Sequence, residues 1–208
     1  MESVVNGVLM RDCLVLVDLF DDFGHEDGEA LLASFCARLE GISLLLSCAR
    51  GRQLPVVYAN DPAGVFDGDV RRIVARARAG PARARVEPLL PLPGDRFVVK
   101  PRYSAFDSTP LALILRQLEI ERIVLAGMST EGCVAQTAIA GKEKGFKVTV
   151  VPSACATVVA ELEQIALSYL ERVVGVRIEP QASIVETPSG FHDRTAGYGA
   201  ANVNDERS

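Results

Sequence analysis

The sequence predicts an α/β fold in which a parallel sheet is covered by helices on both faces. Short, continuously apolar segments recur along the chain, as expected for strands that are buried on both sides. Stretches with apolar residues at helical spacing separate these segments, and such alternation is typical of parallel sheets with right-handed crossovers. With 208 residues, 49% of them hydrophobic, the chain is long enough for one domain with a sizeable core.

The first half of the chain contains three of the predicted strands and one long helix. The helix has apolar residues three and four positions apart, and Gly51 is a suitable stop signal. The segments, in order, are a strand over Cys13–Val17, a helix over Gly28–Gly51, a strand over Val56–Ala59 and a strand over Phe97–Val99.

The second half opens with a helix start at Ser108–Pro110, where a capping residue precedes an early proline. After this helix, which ends at Leu118, come a strand over Ile123–Ala126, an alanine-rich helix from Glu131 to Gly145, a strand over Val148–Val151, a helix over Glu161–Arg172 and a strand over Val176–Ile178. We expect a single domain over residues 1–188. Residues 189–208, rich in Gly, Asn and charges, are expected to form a flexible tail or an arm over a partner subunit.

Charge and cysteine content exclude several classes of function. The net charge of −5 and the pI of about 5.2 predict no nucleic-acid partner. A loose basic stretch from Arg71 to Arg85 is interpreted as a solvated face, with a substrate or partner contact as the alternative. No segment approaches the ~20 apolar residues that span a bilayer, and the N-terminus is no signal peptide. Five scattered cysteines without a CxxC pair indicate reduced thiols, so we expect a cytoplasmic protein without a membrane partner.

Histidine is scarce, which narrows the possible chemistry. The chain has two, His25 and His192, and His192 lies in the polar C-terminal stretch. A Ser-His-Asp or Cys-His enzyme would need one of them as its base. A His-rich zinc site is equally unsupported.

Reactive side chains stand where the predicted parallel strands end. Asp18, Asn60 and Lys100 follow the first three strands, and Cys133 follows the fourth strand at the next helix start. Ligands of open α/β sheets bind at this edge. Taken singly, Asp18 could cap a turn, Lys100 could be a solvated charge and Cys133 could be a buried hydrophobe. Their joint placement favours an active site.

The chemistry of this set is coherent. A helix N-terminus and the Lys100 ammonium are expected to lower the pKa of the Cys133 thiol. Asp18 would accept the thiol proton and later deliver it to a leaving amine. Backbone N–H groups of the turn between Ser129 and Cys133 would face the developing oxyanion.

Three blocks of sequence resemble the isochorismatase-like cysteine hydrolases. VLVDLFDDF (Val15–Phe23) is similar to the family's VIDMQNDF opening, KPRYSAF (Lys100–Phe106) to its K-x-x-x-S-A-F segment, and GMSTEGCV (Gly127–Val134) to its G-x-x-T-x-x-C-V nucleophile motif. The blocks occur in the family's order and at its usual separations. The similarity spans roughly residues 12–180.

The resemblance implies a three-layer, Rossmann-like α/β/α fold whose six parallel strands have the order 3-2-1-4-5-6. It implies a catalytic triad of Asp18, Lys100 and Cys133. It also implies a cis peptide between Met128 and Ser129, which would turn the Ser129 N–H inward beside that of Cys133 as an oxyanion hole. Family members commonly form dimers or tetramers, so a homo-oligomer is expected.

The sequence departs from the family in two places. Phe20 replaces the usual Gln near the catalytic Asp, which would reshape the pocket. The stretch from Tyr58 to Phe66 lacks the histidines of the metal-binding nicotinamidase branch, so the resemblance is to the metal-free branch, and neither a metal nor a cofactor is expected. Asn60 would orient Asp18 or the substrate, or form an Asx turn.

Retention of Cys133 favours hydrolysis of a C–N bond in a small amide, ureide or carbamoyl compound through an acyl-enzyme. Two alternatives stay open: a vinyl-ether hydrolase in which Asp18 is a general acid and Cys133 is dispensable, and a catalytically silent scaffolding subunit. The candidates for the pocket wall, each of which could instead be core or interface, are Phe20, Phe66, Tyr103 and Phe106. Arg102 could pair with a substrate carboxylate.

Overall fold

Six parallel strands form one sheet with the order β3-β2-β1-β4-β5-β6 in the computed structural model, which describes residues 11–62, 64 and 69–180. This confirms the predicted fold class and strand order. The strands are β1 (Asp12–Val17), β2 (Val56–Asn60), β3 (Arg96–Val99), β4 (Arg122–Met128), β5 (Lys147–Ala156) and β6 (Arg177–Ile178).

Helices and short helical turns connect the strands. The helices are α1 (Gly28–Gly51), α2 (Val70–Ala79), α3 (Arg83–Val86), α4 (Leu111–Gln117), α5 (Ala135–Glu143) and α6 (Ala160–Tyr169). A 3₁₀ turn follows α3 (Glu87–Leu89), one π-helical turn precedes α5 (Thr130–Val134), and a second continues α6 (Leu170–Val174).

The sheet separates two hydrophobic cores because successive side chains of a strand point to opposite faces. In β1, Leu14 and Leu16 pack against α1, α2 and α3, whereas Val15 and Val17 pack against α4 and α5. Since both faces are covered, the central strands can be apolar at every position, which is the pattern that predicted them.

Close backbone approach brings the carboxyl ends of β1 and β4 together. Gly127 in β4 has φ +127, and a Cβ at this position would lie 1.9 Å from the carbonyl oxygen of Val17. Only glycine fits both the conformation and the space. The residues that follow β1 and β4, Asp18 and Ser129, are therefore held near each other.

α1 corrects the expectation that no segment is long and apolar enough to span a bilayer. Among the described residues it is the one helix that has the required length and mean hydropathy. Phe35, Ile42 and Leu46 on this helix are packed in the core against the sheet. A helix that is packed in a protein core can be as long and as apolar as a membrane-spanning helix, so length and composition alone do not distinguish the two.

The largest differences from the predicted elements lie in the middle of the chain. α2 and α3 were not predicted as separate helices, because their six arginines obscure the apolar positions Ile73, Ala77 and Val86 that pack in the core. β5 extends to Ala156, five residues beyond its predicted end.

The domain end at residue 188 and the tail at 189–208 lie outside the described residues. All five cysteines are free.

Candidate active site

The ends of β1, β3 and β4 bring one acid, one amine and one thiol together. Asp18 follows β1 with a left-handed φ of 50, a conformation that Asp tolerates better than most residues. Lys100 follows β3, and its backbone N–H is bonded to the carbonyl oxygen of Asn60 at 3.0 Å. Cys133 lies in the π-helical turn after β4.

Lys100 contacts both of the other side chains. Its Nζ is 2.6 Å from Oδ2 of Asp18 and 3.4 Å from Sγ of Cys133, and it also donates to the carbonyl oxygen of Arg102 at 3.0 Å. The second carboxylate oxygen of Asp18 accepts the N–H of Asp61 at 2.8 Å. All three donors of the ammonium are thus used.

Burial and pairing compete in the electrostatics of this cluster. Lys100 is 1% exposed, and burial favours its neutral amine, but the charge of Asp18 and the contacts with Asp18 and Cys133 more than offset that effect, so the pKa of Lys100 is raised. The pKa of Asp18 is raised by burial, although Lys100 and the hydrogen bonds oppose the shift. Lys100 therefore stays an ammonium, 2.6 Å from Oδ2 of Asp18.

The pKa of Cys133 moves in the direction opposite to the one expected. Burial and the negative charge of Asp18 raise it to about 12, and the opposing effect of Lys100 is smaller. The prediction of a lowered thiol pKa is wrong because burial outweighs the charge of Lys100, and the charge of Asp18 compensates that charge. At neutral pH the resting sulfur is a thiol, and it needs a base to become a nucleophile.

A buried polar network supports the turn that carries Cys133. The peptide bond between Met128 and Ser129 is cis. The Thr130 hydroxyl lies 2.9 Å from the carboxylate of Glu163 in α6, which also accepts from Arg38 in α1 at 3.1 Å. The turn is thereby tied to two helices.

Glu131 ties the same turn to the segment after β5. Its carboxylate accepts the hydroxyl of Thr157 at 2.8 Å and the N–H of Val158 at 2.9 Å. Val158 and Cys133 line the same cavity. One side chain therefore fixes a cavity wall relative to the thiol.

Asn60 and Phe20 support the site through the backbone. The Asn60 amide accepts the N–H of Phe20 at 2.9 Å and donates to its carbonyl oxygen at 2.9 Å, so it orients the segment after Asp18 and has little capacity left for a substrate. The ring of Phe20 stacks on Tyr58 and Phe97 in the core while one edge reaches the cavity.

A cavity of about 680 Å³ opens above the cluster, within the size range of small-molecule sites. The predicted residues that line it are Asp18, Phe20, Asn60, Lys100, Arg102, Tyr103, Met128, Ser129 and Cys133. Tyr103 is exposed at its rim, and Arg102 lies 3.6 Å from Asp107.

Two predicted pocket residues are not among the described residues that line the cavity. Phe106 is not a pocket wall: it is buried in the opposite core, where it stacks on Phe146, so that prediction is wrong. Phe66 lies outside the described residues.

The cavity also contains residues that the sequence did not identify. Asp22 and Arg76 form an ion pair at its rim, and His25 lies 3.7 Å from Asp21. Arg76 belongs to the basic stretch that was interpreted as a solvated face; because it lines the cavity, the alternative of a substrate contact stays open for this arginine. In the part of the chain that is described, no group of three or more His, Cys, Asp or Glu side chains is placed to hold a metal ion.

Comparisons with known proteins agree with the fold. Residues 12–180 match the family model of the isochorismatase domain. The uncharacterized isochorismatase family protein YaaI of Bacillus subtilis is 27% identical over 173 residues, which are 83% of this chain and 96% of that protein. The maleamate amidohydrolase of Pseudomonas putida is 28% identical over 153 residues, or 70% and 72% of the two chains.

Solved structures give the same result. The N-carbamoylsarcosine amidase from Thermoplasma acidophilum superposes with a TM-score of 0.66 at 28% identity, covering 83% of this chain and 97% of its own. The nicotinamidase PncA from Bacillus subtilis superposes with a TM-score of 0.66 at 26% identity, covering 81% and 99%.

Proposed function

Because the chain belongs to the isochorismatase family, we propose that it is a cysteine hydrolase that cleaves a C–N bond of a small amide, ureide or carbamoyl compound. The observation that carries the proposal is the position of Lys100 Nζ, 2.6 Å from Asp18 and 3.4 Å from the sulfur of Cys133. Three residues that are far apart in sequence contact one another at the floor of one cavity. Similarity to a maleamate amidohydrolase and an N-carbamoylsarcosine amidase supports the bond type.

In the first half of the reaction, Asp18 is the general base and Cys133 the nucleophile. The thiol proton passes to the Asp18 carboxylate while the sulfur forms a bond to the substrate carbonyl carbon. The tetrahedral oxyanion then collapses as the C–N bond breaks, and Asp18 returns the proton to the leaving nitrogen. The products are an amine or ammonia and a thioester on Cys133.

In the second half, water replaces the amine. Asp18 accepts a proton from water as its oxygen attacks the thioester carbonyl carbon, and the C–S bond breaks. The sulfur recovers its proton from Asp18, and the acid product is released. The resting thiol and carboxylate are restored, which matches a thiol with a raised pKa.

Lys100 keeps the two reacting groups in register. Its buried ammonium is close enough to stabilise the negative charge whether that charge is on Asp18 or on the sulfur. Its contact with the Arg102 carbonyl oxygen fixes the third donor, so the ammonium cannot rotate away. Lys100 therefore has a catalytic role without transferring a proton.

The backbone N–H groups of Ser129 and Cys133 are the proposed oxyanion hole. They lie in the turn braced by Glu131 and by the Thr130–Glu163 contact. Donors that are held in place before the reaction stabilise the oxyanion most, and one such donor typically contributes about 3 kcal/mol.

The function is tested by measuring amine or ammonia release from a panel of small amides, ureides and carbamoyl amino acids. We expect turnover of at least one class and a loss of roughly 10⁴-fold in Cys133→Ala. Cys48→Ala, a half-buried thiol of α1, is the matched control and should retain activity. Undiminished turnover in Cys133→Ala would exclude the acyl-enzyme and favour chemistry in which Asp18 acts alone, as in ether hydrolysis.

A further inference from the structure

An exposed apolar stripe runs along α6 and the π-helical turn that continues it. It consists of Leu162, Ile165, Tyr169 and Val173, which are 48%, 65%, 51% and 68% exposed. Their spacing of three and four residues places them on one side of the helix, while Leu167 and Leu170 on the other side pack against the core. A contiguous apolar patch of this kind is typical of an interaction surface.

Opposite charges stand at the two ends of this stripe. Glu161 lies near the start of α6 and Arg172 near the end of the following turn, and both are exposed. Together with Ile165 and Tyr169 they line a shallow groove, so the two charges flank the stripe on the same side. Neither of them forms an ion pair with another described residue.

We propose that this stripe is the interface of a symmetric dimer in which α6 of one copy packs antiparallel on α6 of a second copy. A two-fold axis that reverses the helix direction keeps each flank on its own side. Glu161 of one copy would then face Arg172 of the other, and the contact would occur twice.

The sequence order of the stripe fits the same axis. If the axis passes near residue 167, Leu162 faces Val173 of the other copy and Ile165 faces Tyr169. Apolar side chains therefore meet apolar ones at each level, and the charges meet at the rim. A helix face with both charges of one sign, or with the charges on opposite flanks, would not match itself in this way.

The stripe shares no described residue with the cavity but is connected to it through α6. Glu163 on the inner side of the same helix contacts Thr130 in the turn that carries Cys133. A dimer through α6 would keep this helix in place, and no residue of the stripe lines the cavity.

Sedimentation velocity of the full-length protein tests the proposal. We expect a dimer, and Ile165→Glu should raise its dissociation constant at least about 100-fold, because a charge would enter the centre of the apolar contact. Leu113→Glu, at an equally exposed leucine of α4, is the matched control and should leave the dimer unchanged. A monomeric wild-type chain, or a dimer insensitive to Ile165→Glu, would overturn the proposal.

Charge exchange tests the register. Glu161→Lys or Arg172→Glu alone should raise the dissociation constant about ten-fold, since each places two like-charge contacts in the dimer. The two changes combined should restore it to within about three-fold of the wild-type value. If the loss of dimerisation free energy in the double variant equals the sum of the losses in the two single variants, the antiparallel pairing is wrong.

Discussion

The floor and the rim of the cavity differ in how they are held in place. The floor consists of Asp18 and Lys100, which directly follow strands, and Cys133 in the turn after β4. Lys100 is buried and contacts both of the others, which are half-buried. The rim includes Arg102 and Tyr103, which are exposed and follow β3 in a segment without regular structure. The difference indicates that the sheet fixes the chemistry, whereas the connecting segments determine which substrate enters.

The largest effect is expected from replacing Asp18, the general base of the cavity floor. Asp18→Asn should lower turnover by roughly 10²–10⁴-fold, because the thiol loses its proton acceptor. The same variant should make Cys133 react faster with iodoacetamide at pH 8: the charge that raises the thiol pKa is gone, while Lys100 remains.

Peptide mapping by mass spectrometry measures the rates at which iodoacetamide modifies Cys133 and Cys48 in one sample, and Cys48 is the internal reference. A slower reaction of Cys133 in Asp18→Asn than in the wild type would contradict the assigned charges.

Acid should inactivate the enzyme through Asp18. Burial raises its pKa above the ordinary 3.8, so the carboxylate gains its proton as the pH falls through a range that lies above that value. Profiles of kcat/KM against pH should therefore decline on the acid side with an apparent pKa above 3.8. Lys100 imposes no loss below pH 10.5, because its pKa is raised and the ammonium persists. An acid limb at or below 3.8 would contradict the burial of Asp18.

The brace beneath the floor should matter less than the floor itself. Glu131→Gln keeps the shape of the side chain but weakens its bonds to Thr157 and Val158, so we expect kcat to fall about ten-fold. Thermal unfolding should report a loss of about 1 kcal/mol. Glu29→Gln, an exposed glutamate of α1, is the control. If Glu131→Gln changes KM alone, Glu131 acts on substrate binding rather than on the turn.

Changes at the rim should be the mildest. Arg102→Ala and Tyr103→Ala are expected to alter stability by no more than about 0.5 kcal/mol, since both side chains are exposed. Their effect should appear in KM, and differ between substrates, with kcat nearly constant. Arg116→Ala on α4 serves as the control in steady-state assays. A large loss of kcat in Tyr103→Ala would show that Tyr103 acts in the chemical step and not only in substrate binding.

The sequence predicted the floor because its position depends on strand ends alone. Continuous apolar segments mark β1 and β3, so the residues directly after them must lie at the same edge of the sheet. The brace was not predicted, since Glu131 and Glu163 find their partners through tertiary packing that periodicity does not report.

Two errors have a similar cause. The pKa of Cys133 depends on the balance of burial, Asp18 and Lys100, which proximity to one cation does not determine. Phe106 belongs to a segment that leads into the active site, yet its side chain points into the opposite core. Both depend on side-chain environment rather than on position along the chain.

Mass spectrometry of an acid-quenched reaction tests whether Cys133 carries the acyl group during turnover. With a substrate that is turned over, the peptide containing Cys133 should gain the mass of the acyl group, and added hydroxylamine should remove it. The adduct should be absent in Cys133→Ala. An unmodified Cys133 during turnover, together with full activity of Cys133→Ala, would exclude Cys133 as the nucleophile.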